Sequence, residues 1–404
     1  MKDNYSNLDI LRAMAVMSVV TYHLWRACVE FHLCRENLTI THTLHNVSYT
    51  GVMFFFVHTS LVLMLSLHRS QASHRGAKFL IRRAFRIYPL CWATIFLALA
   101  TGLTDHPENN LRSLGVGGVA ANLLLVQNIF HTDRSAIGPL WSLPWEVQMY
   151  LLLPVIFALL LRFKRNSAAL SLWLGATALA VAATQPGIPS ELHLHAAVFP
   201  PMFIAGIVAY RLLDNQKNPF RHAPPAWAWP FFVFLLFALQ SWSIGYRRLE
   251  SPFAAGVDAS VCLLLALAIP LFPEMTSRSI VRPAHYVAKY SYGIYLLHVP
   301  ALMFVMHYMH SLPLALKMSV FLLLTAFLSV LSFHAIEDPL VRMGKRITQQ
   351  TQSQPTPGVN PDRVRGETVR REIVEGTFAT TPQVAAIPKY SEELFCSAQS
   401  DEER

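Results

Sequence analysis

Ten apolar segments of roughly membrane-spanning length run through this chain, near 8–28, 47–67, 88–104, 145–161, 168–184, 194–213, 227–244, 253–272, 289–309 and 314–336. A helix rises about 1.5 Å per residue and the bilayer core is about 30 Å thick, so about 20 apolar residues cross it. In lipid every backbone polar group must be satisfied within its own segment, which leaves helices or closed barrels. Segments of this length predict the former: an all-α, polytopic membrane protein with about ten transmembrane helices. Charged residues make up only 14% of the 404, against about 25% in a soluble domain.

Loop charge orients the bundle. With the N-terminus cytoplasmic, the basic runs Arg69–Arg86, Arg162–Arg165, Arg211–Arg221, Arg278–Lys289 and Arg342–Arg346 all fall inside, and only Arg247 and Arg248 fall outside. This parity requires that the moderately apolar stretch near 116–143 does not cross, being non-spanning or re-entrant. It also places both termini in the cytoplasm and the protein in the lipid bilayer of a cell membrane, the bacterial inner membrane by the resemblance described below. The net charge of +9 sits in these inter-helix runs, which argues against a nucleic-acid partner. After about residue 341 the chain turns rich in Gln, Thr, Pro and charge, so residues 1–340 read as the membrane domain and 341–404 as a disordered cytoplasmic tail. Arg12 interrupts the first apolar run and no small-residue cleavage site follows it, so that helix is expected to stay in the mature protein. Cys28 and Cys34 leave a disulfide open, and no metal spacing occurs.

Four clusters carry polar chemistry into apolar surroundings. In the first helix, Asp9, Arg12 and His23 share a face, and Arg12 and His23 stand roughly 16 Å apart along the axis. An arginine inside a membrane helix costs about 2.5–3.5 kcal/mol on insertion scales, so this face is expected to look onto protein or a water-filled pocket. Arg83 and Arg86, in Arg82-Arg83-Ala84-Phe85-Arg86-Ile87-Tyr88-Pro89, are spaced to grip one polyanion, or are ordinary loop charge before the third helix. Glu146, in Trp141-Ser142-Leu143-Pro144-Trp145-Glu146, is either a carboxylate favoured at a helix N-terminus or a partner that orients the His23 imidazole. The last cluster, Ser291-Tyr292-Gly293-Ile294-Tyr295-Leu296-Leu297-His298, offers tyrosines suited to packing and a deeper histidine that could line the pocket. His58 in the second helix is a further candidate for the cavity.

In this order and spacing the clusters, with Gly51-Val52-Met53-Phe54-Phe55-Phe56, resemble the acyltransferase-3 family of integral membrane acyltransferases over about residues 5–342. The resemblance implies a ten-helix fold, acyl-CoA (commonly acetyl-CoA) as co-substrate with no bound cofactor or metal, and a carbohydrate or other hydroxyl-bearing acceptor. It implies His23 and Glu146 as the catalytic pair, Arg12, Arg83 and Arg86 as the acyl-CoA site, and Asp9, Tyr88, Trp141, Ser142, Ser291, Tyr295 and His298 as supporting residues. Two departures stand out. Many members read Ser-Gly-Phe where this chain has Thr59-Ser60-Leu61, and the stretch after 341 is too short for the SGNH-type hydrolase domain some members carry. The competing class is a non-enzymatic transporter or flippase, which would also need polar residues within a helical bundle.

Overall fold

The computed structural model describes residues 5–69, 75–105, 111–129, 134–163, 166–185, 197–214, 223–244 and 251–350, and among them every regular element is a helix. In order these are α1 (Ser6–Glu30), α2 (Leu38–Arg69), α3 (Arg75–Thr101), α4 (Leu111–Leu124), a 3-10 turn at Gly138–Ser142, α5 (Leu143–Arg162), α6 (Asn166–Ala183), α7 (Pro200–Asp214), α8 (Ala228–Ile244), α9 (Pro252–Ala268), α10 (Arg278–Tyr308), α11 (Leu314–Ser332) and α12 (Asp338–Gln350). A π-helical turn, Phe333–Glu337, joins the last two into one continuous rod.

Each of the ten apolar segments forms a helix. Among the described residues four helices have the length and hydropathy of a crossing in their own right: Leu38–Arg69, Gly76–Thr101, Gly138–Arg162 and Leu314–Gln349. Three shorter apolar helices, Ser167–Ala183, Ala228–Trp242 and Pro252–Ala268, accompany them. The stretch expected not to cross, 116–143, overlaps α4, only 14 residues long and broken at Gly115 (φ 62°). At about 1.5 Å per residue it is shorter than a bilayer core.

Three boundaries differ from expectation. The third helix begins at Arg75, not near 88, so Arg82, Arg83 and Arg86 belong to the helix rather than to the loop before it. The helix of the Ser291–His298 cluster begins at Arg278, which puts the cluster in its middle. The helix that opens the expected tail runs on to Gln350; the remainder of that tail, 351–404, lies outside the described residues. In all three, charge punctuates the apolar pattern but does not stop the helix, because Arg and Lys are good helix formers and their stems pack on apolar neighbours. Cys28 and Cys34 are free thiols.

α1 is the hub, packed between α2 and α10. It has no side-chain cap of its own. Glu274, from the connection after α9, supplies one: its Oε2 accepts from Ser6 Oγ at 2.9 Å and from the Asn7 backbone N–H at 2.8 Å. A carboxylate there answers both the orphan donors and the dipole of the helix start. The close approaches need small residues. A Cβ at Gly51 would meet the Ala15 carbonyl oxygen of α1 at 2.8 Å, and one at Gly206 would meet Ser60 Oγ at 2.0 Å and Val57 O at 2.2 Å. The departure at Thr59-Ser60-Leu61 is thus accommodated by a glycine on α7, whose residues Pro201–Arg211 are buried throughout. Gly206→Ala is expected to lower stability by about 1–3 kcal/mol as an overpacked contact, read as a lower midpoint in detergent thermal unfolding.

Candidate functional site

α1 and α10 run in the same direction, and two contacts set their register. At the N-terminal ends His285 Nδ1 lies 2.8 Å from Asp9 Oδ2. Thirteen residues further along α10, the His298 ring packs edge-on against His23 at 5.1 Å between centroids. The polar face read from the sequence therefore points at α10, and its two ends form different sites.

At the His23 end, α1, α2 and α10 enclose a cavity of about 740 Å³ with the chain around 105 and 134–142. His23 lies on its wall, with Tyr22, His45, Tyr49, Asp105, Trp141 and Tyr295 among its neighbours there. The carboxylate facing the imidazole is Asp105, its Oδ2 3.6 Å from His23 Nδ1. Its other oxygen accepts the Gly138 backbone N–H at 2.8 Å. A Cβ on Gly138 would stand 2.2 Å from Asp105 Oδ2, so a larger residue here would push the carboxylate from its place. The short helix α4 holds this wall in place: Asn122 of α4 accepts from Ala136 N–H at 2.9 Å and donates to the Arg134 carbonyl at 3.0 Å. Tyr295 donates to the Pro139 carbonyl at 2.9 Å, which leaves Ser142 as donor in their 2.7 Å contact. Trp141 stacks on Tyr49, rings 8° from parallel.

Glu146 is not part of this wall. In the first turn of α5, it accepts from Tyr150 Oη and feels the charges of Arg12, Arg83 and Arg86. Where the expectation set Glu146 beside His23, the structure brings Asp105 to the ring and sets Glu146 among the arginines. Helix geometry explains the difference: α5 is preceded by the 3-10 turn at Gly138–Ser142, so its fourth residue already lies below the wall that Pro139 and Ser142 build.

The second site is this arginine cluster. Arg86 pairs with Glu337, a carboxylate only 1% exposed in the π-helical turn, and its guanidinium lies 5.5 Å over the Tyr292 ring. Arg83 lies 5.7 Å over Phe79. Arg12 is surrounded by the charges of Arg86, Glu146, Asp9 and Glu337. Its Nε, that of Arg83 and Glu337 Oε1 are buried with no hydrogen-bond partner. Three guanidiniums gather here with Glu146 and Glu337, while Asp9, the third carboxylate near Arg12, is engaged by His285; guanidinium forks gathered in this way suit an anionic ligand. His58, buried on α2, also feels the charge of Arg12 and is absent from the cavity lining.

The remaining expected site residues divide. Trp141, Ser142, Tyr295 and His298 gather at or just behind the cavity. Asp9 is taken by His285, Tyr88 donates to the Leu124 carbonyl at 3.2 Å, and Ser291 to Ala288 of its own helix at 2.8 Å. Asp105 and Glu337 were not singled out from the sequence. Asp105 follows the third apolar segment in an ordinary-looking Gly-Leu-Thr-Asp turn, and Glu337 precedes an Asp-Pro pair at a helix junction.

The acyltransferase domain model matches residues 5–334. The chain is 28% identical to peptidoglycan O-acetyltransferase OatA of Listeria monocytogenes over 176 residues, covering 40% of this chain and 25% of that one. It is 23% identical to YrhL of Bacillus subtilis over 370 residues, 84% of this chain and 55% of the relative. To O-acetyltransferase OatA of Staphylococcus aureus it is 24% identical over 382 residues, 83% and 57% respectively. The chain thus spans little more than half the length of these relatives at most. No solved structure matches it. The family match runs from Tyr5, at the N-cap of α1, into the turn at Phe333–Glu337, and over that length the chain belongs to the acyltransferase-3 family.

Proposed function

We propose that this protein is a membrane O-acyltransferase that moves an acyl group, acetyl in the family's common case, from cytoplasmic acyl-CoA to a carbohydrate hydroxyl on the opposite face of a bacterial inner membrane. In this reading ten helices cross the bilayer, α4 does not, and both termini are cytoplasmic. The observation that carries it is the pairing of His23 with Asp105 on the wall of a cavity, at one end of a helix whose other end carries the arginine cluster. Two relatives, the peptidoglycan O-acetyltransferase of Listeria and the O-acetyltransferase of Staphylococcus, support acetyl transfer to a glycan polymer.

Arg83, Arg86 and Arg12 bind the phosphates and arm of the donor; Glu146 and Glu337 hold the guanidiniums apart and in place. The pantetheine arm spans the roughly 16 Å between Arg12 and His23 and brings the thioester to the cavity. His23 takes the proton of the acceptor hydroxyl as that oxygen attacks the thioester carbon. The C–O bond forms, the C–S bond breaks, and the proton passes from the imidazolium to the leaving thiolate, giving free CoA. Asp105 orients the ring through Nδ1 and stabilises its charged form.

The test is release of CoA thiol and acetylation of glycan by purified protein in vesicles given acetyl-CoA. His23→Ala is expected to fall to background while remaining membrane-inserted. Full activity in that variant overturns the assignment of the base, and glycan movement without thiol release supports a flippase instead.

A further inference from the structure

Two thiols meet where α1 ends. The helix stops at Glu30, and His32 takes a left-handed backbone (φ 55°) that turns the chain back beside the helix. Few non-glycine residues enter that region, histidine among those that do. The Cys28 carbonyl closes the turn, accepting the backbone N–H of Leu33 at 2.8 Å and of Cys34 at 3.1 Å. Backbone bonding of this kind leaves the two Cα atoms about 5.5 Å apart, within the about 4.4–6.8 Å that a disulfide spans. The side chains follow: the Cys28 and Cys34 thiols are in hydrogen-bond contact. Both are free in this structure, Cys28 buried and Cys34 half-buried, so one can be reached from solvent and the other stands behind it.

We infer that Cys28 and Cys34 form an intramolecular disulfide on the extracytoplasmic side of the membrane, clamping the outer end of α1. The inference rests on the orientation proposed above, which sets this end of α1 outside the cytoplasm, where disulfides persist. The oxidant is an exchangeable protein disulfide of that compartment. The Cys34 thiolate attacks it, a mixed disulfide forms, and one donor thiolate leaves. The Cys28 thiolate then attacks the Cys34 sulfur, the intramolecular S–S bond forms, and the second donor thiolate leaves. Two electrons pass to the donor, and the two protons end on its thiols. Burial opposes ionisation of Cys28, and the charge of Lys317, buried on α11, favours it. Arg26, Ala27 and Glu30, at this end of α1, line the cavity that holds His23. Closing a ring over residues 28–34 keeps that rim on the helix, where a last turn otherwise frays.

The test reads the bond directly. Trypsin cuts after Arg26 and Arg35 and leaves both cysteines on one peptide, Ala27–Arg35. Membranes holding the full chain are quenched in acid, alkylated in denaturant and digested. The expected peptide lacks two hydrogens and carries no alkyl group, and it takes up two only after reduction. On spheroplasts, a membrane-impermeant maleimide is expected to reach the pair only after an external reductant. In detergent, the oxidised protein is expected to unfold about 3 °C or more above a protein carrying both Cys28→Ser and Cys34→Ser.

A peptide alkylated twice without reduction overturns the inference. If the maleimide then labels it from outside, the proposed orientation stands. Labelling only from the cytoplasmic face, in inverted vesicles, overturns both. A bond that forms without raising the unfolding midpoint overturns the clamp.

Discussion

Asp105→Asn is expected to lower kcat for acyl transfer by about a hundredfold or more, with little change in KM for the donor. Asparagine retains an oxygen for the Gly138 N–H, so the wall of the cavity stays where it is. What it loses is the negative charge opposite His23 Nδ1. The imidazolium that forms as the hydroxyl gives up its proton then has no counter-charge. An amide nitrogen turned toward Nδ1 would also favour the wrong tautomer. Steady-state thiol release measured against acetyl-CoA concentration separates the two constants. A wild-type kcat in this variant would mean that the 3.6 Å contact is incidental and that the ring is oriented by other groups.

Glu146 makes the opposite prediction. Glu146→Gln keeps an acceptor for Tyr150 but removes one of two carboxylates from a cluster of three buried guanidiniums. The expected result is a KM for acetyl-CoA changed by about tenfold or more, since the grip on the donor is rearranged, with kcat at saturating donor close to wild type. Glu146→Ala goes further and also strands the Tyr150 hydroxyl. Breaking a buried charged network by deleting one member costs about 3–5 kcal/mol, so the midpoint of thermal unfolding in detergent should fall well below that of the Gln variant. If Glu146→Gln instead loses kcat at constant KM, the carboxylate acts on the imidazole after all and the division of the polar face into two sites is wrong. Measured side by side, Asp105→Asn and Glu146→Gln therefore test one geometric statement: chemistry at one end of α1, donor binding at the other.

Much of this was legible from residues in a line. Arg12 and His23 share a helix face because eleven residues close about three turns, a local property no packing can undo. The apolar segments had to become helices because lipid offers backbone groups no other partner. Loop charge led to the expectation that 116–143 does not cross, and the helix found there, α4, is short and interrupted at Gly115.

What depth each polar group occupies was not local. Glu146 seemed level with His23 because it opens an apolar helix. It lies nearer Arg12 because the wall-building turn Gly138–Ser142 takes up the level of the cavity first. Asp105 and Glu337 became visible only when helices distant in sequence were brought together: Asp105 reaches a histidine 82 positions earlier, and Glu337 an arginine 251 positions earlier. The sequence by itself determined that this chain buries charged side chains among membrane-length helices, because periodicity and hydropathy are written residue by residue. Which carboxylate meets which cation was decided by tertiary structure alone, because a buried charge chooses its partner by distance across the bundle, and that distance depends on register, turns and close-packed glycines.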